Sequence, residues 1–181
     1  LFIVKYYFSL IALSILYKPV FLLMNGGCED YSMADYLCVI FHGLPHDFAV
    51  AGYFTTIPLL LTATTLFADI PLKGFFKGYN TIIATAIALA FVADATLYPY
   101  WEFKLDATVL MYINSPSNAI ASISLWHLIL LTLIFSSFFS GIYLLLGAIT
   151  PERFNTTGNC IGKRIFHLAI AILAGGAIFI G

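Results

Sequence analysis

Residues 120–149 read IASISLWHLILLTLIFSSFFSGIYLLLGAI, without a single Asp, Glu, Lys or Arg. A helix rises 1.5 Å per residue, so about 20 apolar residues cross the roughly 30 Å hydrocarbon layer of a bilayer. A run this long without a charge belongs in lipid.

The rest of the chain agrees. Of 181 residues, 61% are hydrophobic and 9% are charged, whereas soluble domains carry about 25% charged residues. Four further apolar runs predict spans, giving five transmembrane helices at about 2–24, 48–68, 79–97, 120–149 and 164–181. The expected fold class is therefore an all-α integral membrane protein, a five-helix bundle with amphipathic juxtamembrane helices on its outer face. The chain starts at Leu1 and stops inside an apolar run, so it is expected to be a piece of a longer protein. The net charge of −1 gives a nucleic-acid partner no electrostatic support. Cys28, Cys38 and Cys160 form neither a CxxC spacing nor an even set for disulfides.

Loop charge sets the direction. Lys73 and Lys77 lie between the second and third runs, and Arg153, Lys163 and Arg164 lie between the fourth and fifth. The positive-inside rule then predicts a cytoplasmic N-terminus and an extracytoplasmic C-terminus. The outer side holds the more elaborate segments. Met33, Tyr36, Leu37, Ile40, Phe41 and Leu44 recur at helical spacing, predicting an interfacial amphipathic helix over 31–44. Tyr98, Tyr100, Trp101 and Phe103 flank Glu102 and Lys104, an aromatic composition suited to headgroup depth.

Cys38, His42 and His46 stand four residues apart with Asp47 adjacent, and on an unbroken helix they would share a face that suits a metal. Gly43 and Pro45 are expected to break that helix, so the preferred reading places both imidazoles at the interface with no metal site. Asp47 and Asp94 fall near the outer ends of predicted spans, where an ionisable group pairs or lines a polar cavity. Lys18 and Lys104 are the expected partners on that side. The candidate contacts for a lipid headgroup or an outer domain are Asp47, Asp94, Tyr98, Trp101, Lys104 and Asp106, set against the plainer reading of interfacial carboxylates that reach water. His127 and His167 read as interhelical hydrogen-bond partners. No nucleophile-elbow, phosphate-loop or HExxH signature is present, so no catalytic residue is assigned.

Three stretches together resemble a known family: HGLPHDFAVAGY (42–53), DATLYPYWEFKLDA (94–107) and YINSP (112–116). They are similar to the N-terminal membrane domain of the lipoteichoic acid synthase family, in the form of its Bacteroides-type members. These are sulfatase-like phosphoglycerol transferases of the alkaline phosphatase superfamily. The resemblance implies five membrane helices followed by an extracytoplasmic catalytic domain, which would carry a Thr nucleophile and a divalent metal such as manganese. Neither maps onto this chain.

The expected function is then that of a membrane anchor and lipid-presenting domain for an enzyme moving phosphoglycerol or phosphoethanolamine from phospholipid to an envelope glycan or glycolipid. Hydrolysis by the same scaffold is the variant within that family. Its implied partners are membrane phospholipid and its own C-terminal domain, and its implied location is the bacterial inner membrane. The competing expectations are a small transporter or channel, and a non-catalytic assembly or sensor subunit.

Overall fold

The computed structural model describes residues 2–25, 32–65, 71–101 and 125–151. Among them the chain is helical, in four elements: α1 (Phe2–Asn25), α2 (Met33–Thr64), α3 (Lys73–Trp101) and α4 (Leu125–Ile149). Three of these, α1, α3 and α4, are long and apolar enough to cross a membrane. The described residues thus support three spans and not the expected count of five. Residues 48–64 of the run expected at 48–68 belong to α2, which is not in that group, and the expected span at 164–181 lies outside the described residues.

α1 packs chiefly on α2 and α3 chiefly on α4, while α1 also touches α3 and α4. Side-chain contacts give the directions. Phe2 meets Phe76, Tyr6 meets Asn80, Tyr17 meets Asp94 and Phe21 meets Tyr98, so α1 and α3 run parallel. Asn80 meets Thr150 and Phe91 meets Phe138, so α4 runs antiparallel to α3. One end of the bundle therefore carries Phe2, Thr64, Lys73 and Ile149, and the other carries Asn25, Met33, Trp101 and Leu125.

Apolar burial does not drive helices together in lipid, so close packing and polar links must do so. The core joins Tyr6, Leu10 and Ile11 of α1 to Ile83, Ala84, Ile87 and Ala88 of α3, with Ile142 and Leu146 of α4. Of the small residues on α3, Ala84 and Ala88 are buried there, while Ala86 and Ala90 are exposed. Thr55, Thr62, Thr81, Thr96 and Thr132 return their hydroxyls to carbonyls of their own helices, which keeps them compatible with lipid.

α2 departs from expectation. Within Met33–Thr64 the expected interfacial helix and the following apolar run are one helix, continuous through Gly43, Pro45 and Pro58. It starts with a capping box, in which the Ser32 hydroxyl accepts from the Asp35 N–H and the Asp35 carboxylate accepts from the Ser32 N–H at 2.8 Å. Hydrogen bonds from the Ser32 hydroxyl and backbone hold Asp35 below the usual carboxylate range.

A proline inside a helix leaves the carbonyl four residues earlier without its N–H donor. For Pro58 that carbonyl belongs to Phe54, and the Tyr79 hydroxyl of α3 donates to it at 2.6 Å. The break is avoided because a neighbouring helix supplies the missing donor, as membrane helices require.

Tyr79→Phe should therefore cost about 1–3 kcal/mol, the penalty for an unsatisfied buried carbonyl. Much of that cost should vanish in a Pro58→Ala background, where the restored N–H takes over. Thermal unfolding in detergent of the four variants of this cycle measures the coupling, and equal costs in both backgrounds would exclude the link.

Candidate functional site

Lys18 lies on the apolar helix α1, where an unpaired ammonium is expensive. It is 8% exposed, and its Nζ forms an ion pair with Oδ2 of Asp47 on α2, itself 6% exposed. The same Nζ donates to the Ile40 carbonyl at 3.3 Å. Gly43 makes room for this contact, since a Cβ there would stand 2.5 Å from Nζ.

The next residue, Tyr17, turns to α3. Its ring stacks on Phe91 with centroids 3.9 Å apart, and its hydroxyl donates to the Phe91 carbonyl at 2.8 Å. The hydroxyl also lies 3.4 Å from Oδ2 of Asp94, which is half-buried. Two consecutive residues of α1 thus hold α2 on one side and α3 on the other.

Between α2 and α3, floored by α1, opens a cleft of about 380 Å³. One end is polar, with Ser14, Tyr17, Lys18, His46, Asp47 and Asp94. The other is apolar, with Leu10, Phe54 and Ile87. Small side chains at Ala51, Ala86 and Ala90 leave the space open. Lys18 precedes Asn25, and Asp94 precedes Trp101, by seven residues, so the polar end sits roughly 10 Å inside the helix ends. Asp47, at the same level, is fourteen residues from Met33. α2 therefore reaches about 10 Å beyond its neighbours, and Met33, Leu37 and Phe41 are exposed on that projection.

Away from its polar end the cleft is bridged. The Tyr79 bond to Phe54 joins α3 to α2. Deeper still, the Tyr6 hydroxyl donates to Asn80 Oδ1 at 3.1 Å, and Asn80 Nδ2 donates to Thr150 Oγ1 at 3.1 Å. Asn80 is 2% exposed, and this chain ties α1, α3 and α4 together.

Asp47 and Asp94 both line the cleft, and Lys18 is the partner of Asp47. Tyr98 packs edge-on against Phe21 with centroids 5.0 Å apart, outside the cleft lining. Trp101 is the last residue of α3, and Lys104, Asp106 and His167 lie outside the described residues. His127 is exposed on α4.

The helix break expected at Gly43–Pro45 is absent, so Cys38, His42 and His46 do share one helix, with Cys38 Sγ 3.4 Å from His42 Nδ1. Among the described residues no group of three His, Cys, Asp or Glu could hold a metal ion. Ser14, Tyr17, Asn80 and Tyr79 were not singled out from sequence. Asn80, an amide inside a span, carried a usable signal, because a polar side chain in lipid must bond to a neighbouring helix. No family model matches the chain, and comparisons with curated proteins and with solved structures return no match.

The buried pair makes a sharp prediction. Lys18→Met strands the Asp47 carboxylate and should cost about 3–5 kcal/mol. Adding Asp47→Leu removes the stranded charge and should recover most of that loss. Unfolding midpoints in detergent report both, and a double variant as weak as the single one would contradict the pairing.

Proposed function

We propose that the chain is the membrane anchor and lipid-presenting domain of an outward-facing, sulfatase-like transferase of the bacterial envelope. The observation that carries this reading is the cleft, polar near one end of the bundle and apolar toward the middle. A phospholipid has the same polarity profile, with its headgroup at the interface and its chains toward the midplane. The cleft is open sideways between α2 and α3, which suits an amphiphile arriving within the bilayer.

Loop charge supports the orientation. Lys73 and Lys77 lie at the end opposite the polar mouth, so the positive-inside rule turns the mouth outward, away from a cytoplasmic N-terminus. A further span over 164–181 would deliver the C-terminus to that outer face. The resemblance of segments 42–53, 94–107 and 112–116 supplies the rest. A following catalytic domain, with its Thr nucleophile and divalent metal, would take phosphoglycerol or phosphoethanolamine from the presented lipid. The projecting turns of α2 and the segment from Tyr98 to Asp106 would form a collar beneath it.

Two measurements test this. The reading frame after Gly181 should encode a domain with an early Thr beside acidic metal ligands, and a stop codon there would overturn the transferase assignment. Separately, the chain extracted in mild detergent should retain phospholipid by native mass spectrometry. Ala90→Leu, which fills the cleft from an exposed position, should reduce that retention severalfold without loss of helical content.

A buried Lys–Asp pair inside a helical bundle also favours a second reading, an ion- or proton-coupled transporter, since such pairs mark ion pathways. Proton flux into proteoliposomes that disappears in Asp47→Asn would support it over the anchor.

A further inference from the structure

The size of the cleft limits how much of a lipid it holds, an inference that rests on the lipid-presenting reading above. Its polar level is set by Lys18 and Asp47, and its floor by Leu10, Phe54 and Ile87. Phe54 follows Asp47 by seven residues and Lys18 follows Leu10 by eight, so the cleft runs about 10–12 Å along the helix axes. It does not continue past the floor. The Tyr79 hydroxyl donates to the Phe54 carbonyl there, and deeper in the bundle Tyr6 and Ala84 are fully buried.

Carbon–carbon bonds of about 1.5 Å meeting near 111° advance an extended chain by about 1.25 Å each. About eight bonds therefore lead from the polar level to the floor. Counted inward from a phosphate at that level, they pass through the glycerol backbone and reach the first carbons of one acyl chain. Volume gives the same limit. A cavity of about 150 Å³ holds one benzene ring, so the 380 Å³ here takes roughly fifteen non-hydrogen atoms. The headgroup and glycerol fill most of that space. Neither measure leaves room for a second acyl chain or for the far half of the first.

The rest of the lipid has a way out. Ala86 and Ala90 line the cleft one turn apart on α3, and both are exposed, so the opening between α2 and α3 extends along the cleft. A chain that leaves there loses little, because the bilayer interior is as apolar as the cleft wall.

We propose that the cleft seats a phospholipid by its headgroup, its glycerol and the first few carbons of one acyl chain, so that a single-chain lysophospholipid is a complete ligand. The test uses the full chain in detergent micelles with lysophosphatidylethanolamine and lysophosphatidylglycerol. Each carries a photoreactive diazirine at its fourth, eighth or twelfth acyl carbon, and labelled peptides are read by mass spectrometry. The fourth-carbon probes should label Leu10, Phe54 or Ile87, and the eighth- and twelfth-carbon probes should label none of them. Phe54→Ala lowers the floor but keeps the carbonyl that Tyr79 uses, and it should bring the eighth-carbon probes onto Leu10 or Ile87. Unlabelled single-chain and two-chain lipids of the same headgroup should displace the fourth-carbon probe within about twofold of each other. Floor labelling by the twelfth-carbon probes in the wild-type chain overturns the one-chain seat while leaving lipid presentation standing. So does tighter displacement by the two-chain lipid outside that range, or labelling unchanged in a folded Phe54→Ala chain. Failure of every probe to label the cleft overturns lipid presentation itself.

Discussion

Lys18 and Asp47 face each other inside a bundle whose core cluster is built from apolar and tyrosine side chains. Neither charge is tolerable there alone, and each makes the other possible. The pair clamps α1 to α2 at one level of the bundle. It also accounts for a residue that would otherwise look like a fault in α2. Gly43 leaves room where the lysine terminus passes over it. With α2 held there by Lys18 and α3 held by the adjacent Tyr17, the space between α2 and α3 stays open, and its polar end is lined by the groups that make these links.

The same rule operates lower in the bundle. Pro58 releases the Phe54 carbonyl, and Tyr79 takes it. Asn80 bridges Tyr6 and Thr150. In water such groups could be solvated at little cost. In hydrocarbon each must be satisfied within the protein, so each polar irregularity in one helix becomes a point of attachment for another. At Pro58 the released carbonyl serves as an acceptor for a neighbouring helix, and α2 does not end there.

This explains which parts of the architecture were legible in sequence. α1, α3 and α4 follow from run length and lack of charge, and their bounds at Asn25 and Ile149 nearly match those expected. The continuity of α2 is not legible because the rule at Gly43–Pro45 is a local one, whereas the contact that holds this stretch comes from Lys18, twenty-nine residues away from Asp47 in sequence. The start of that helix is set by the Ser32–Asp35 capping box, which the apolar spacing alone does not reveal. Asp47 and Asp94 could be singled out because a carboxylate in an apolar run demands an explanation. Their partners were harder to read. Tyr17 and Tyr79 look like ordinary interfacial or core aromatics until the helix they lean on is known, and the alternation of Ala84 and Ala88 inward with Ala86 and Ala90 outward follows from which face α1 and α4 occupy.

The placement of these links bears on what the cleft can do. A transporter that alternates access needs a site whose two ends open in turn, commonly between repeats at the bilayer midplane. Here the polar groups that line the cleft lie at one end, about 10 Å inside the helix termini. Beyond the apolar end the helices are tied by Tyr79 to Phe54 and by the chain from Tyr6 through Asn80 to Thr150. Opening that side would break several buried hydrogen bonds at once and leave a proline-released carbonyl without a donor in lipid. Opening the other side breaks none of them. An arrangement held fast at one end and accessible at the other favours taking a ligand in and giving it back on the same face, which is what presentation of a lipid requires and passage across the membrane does not.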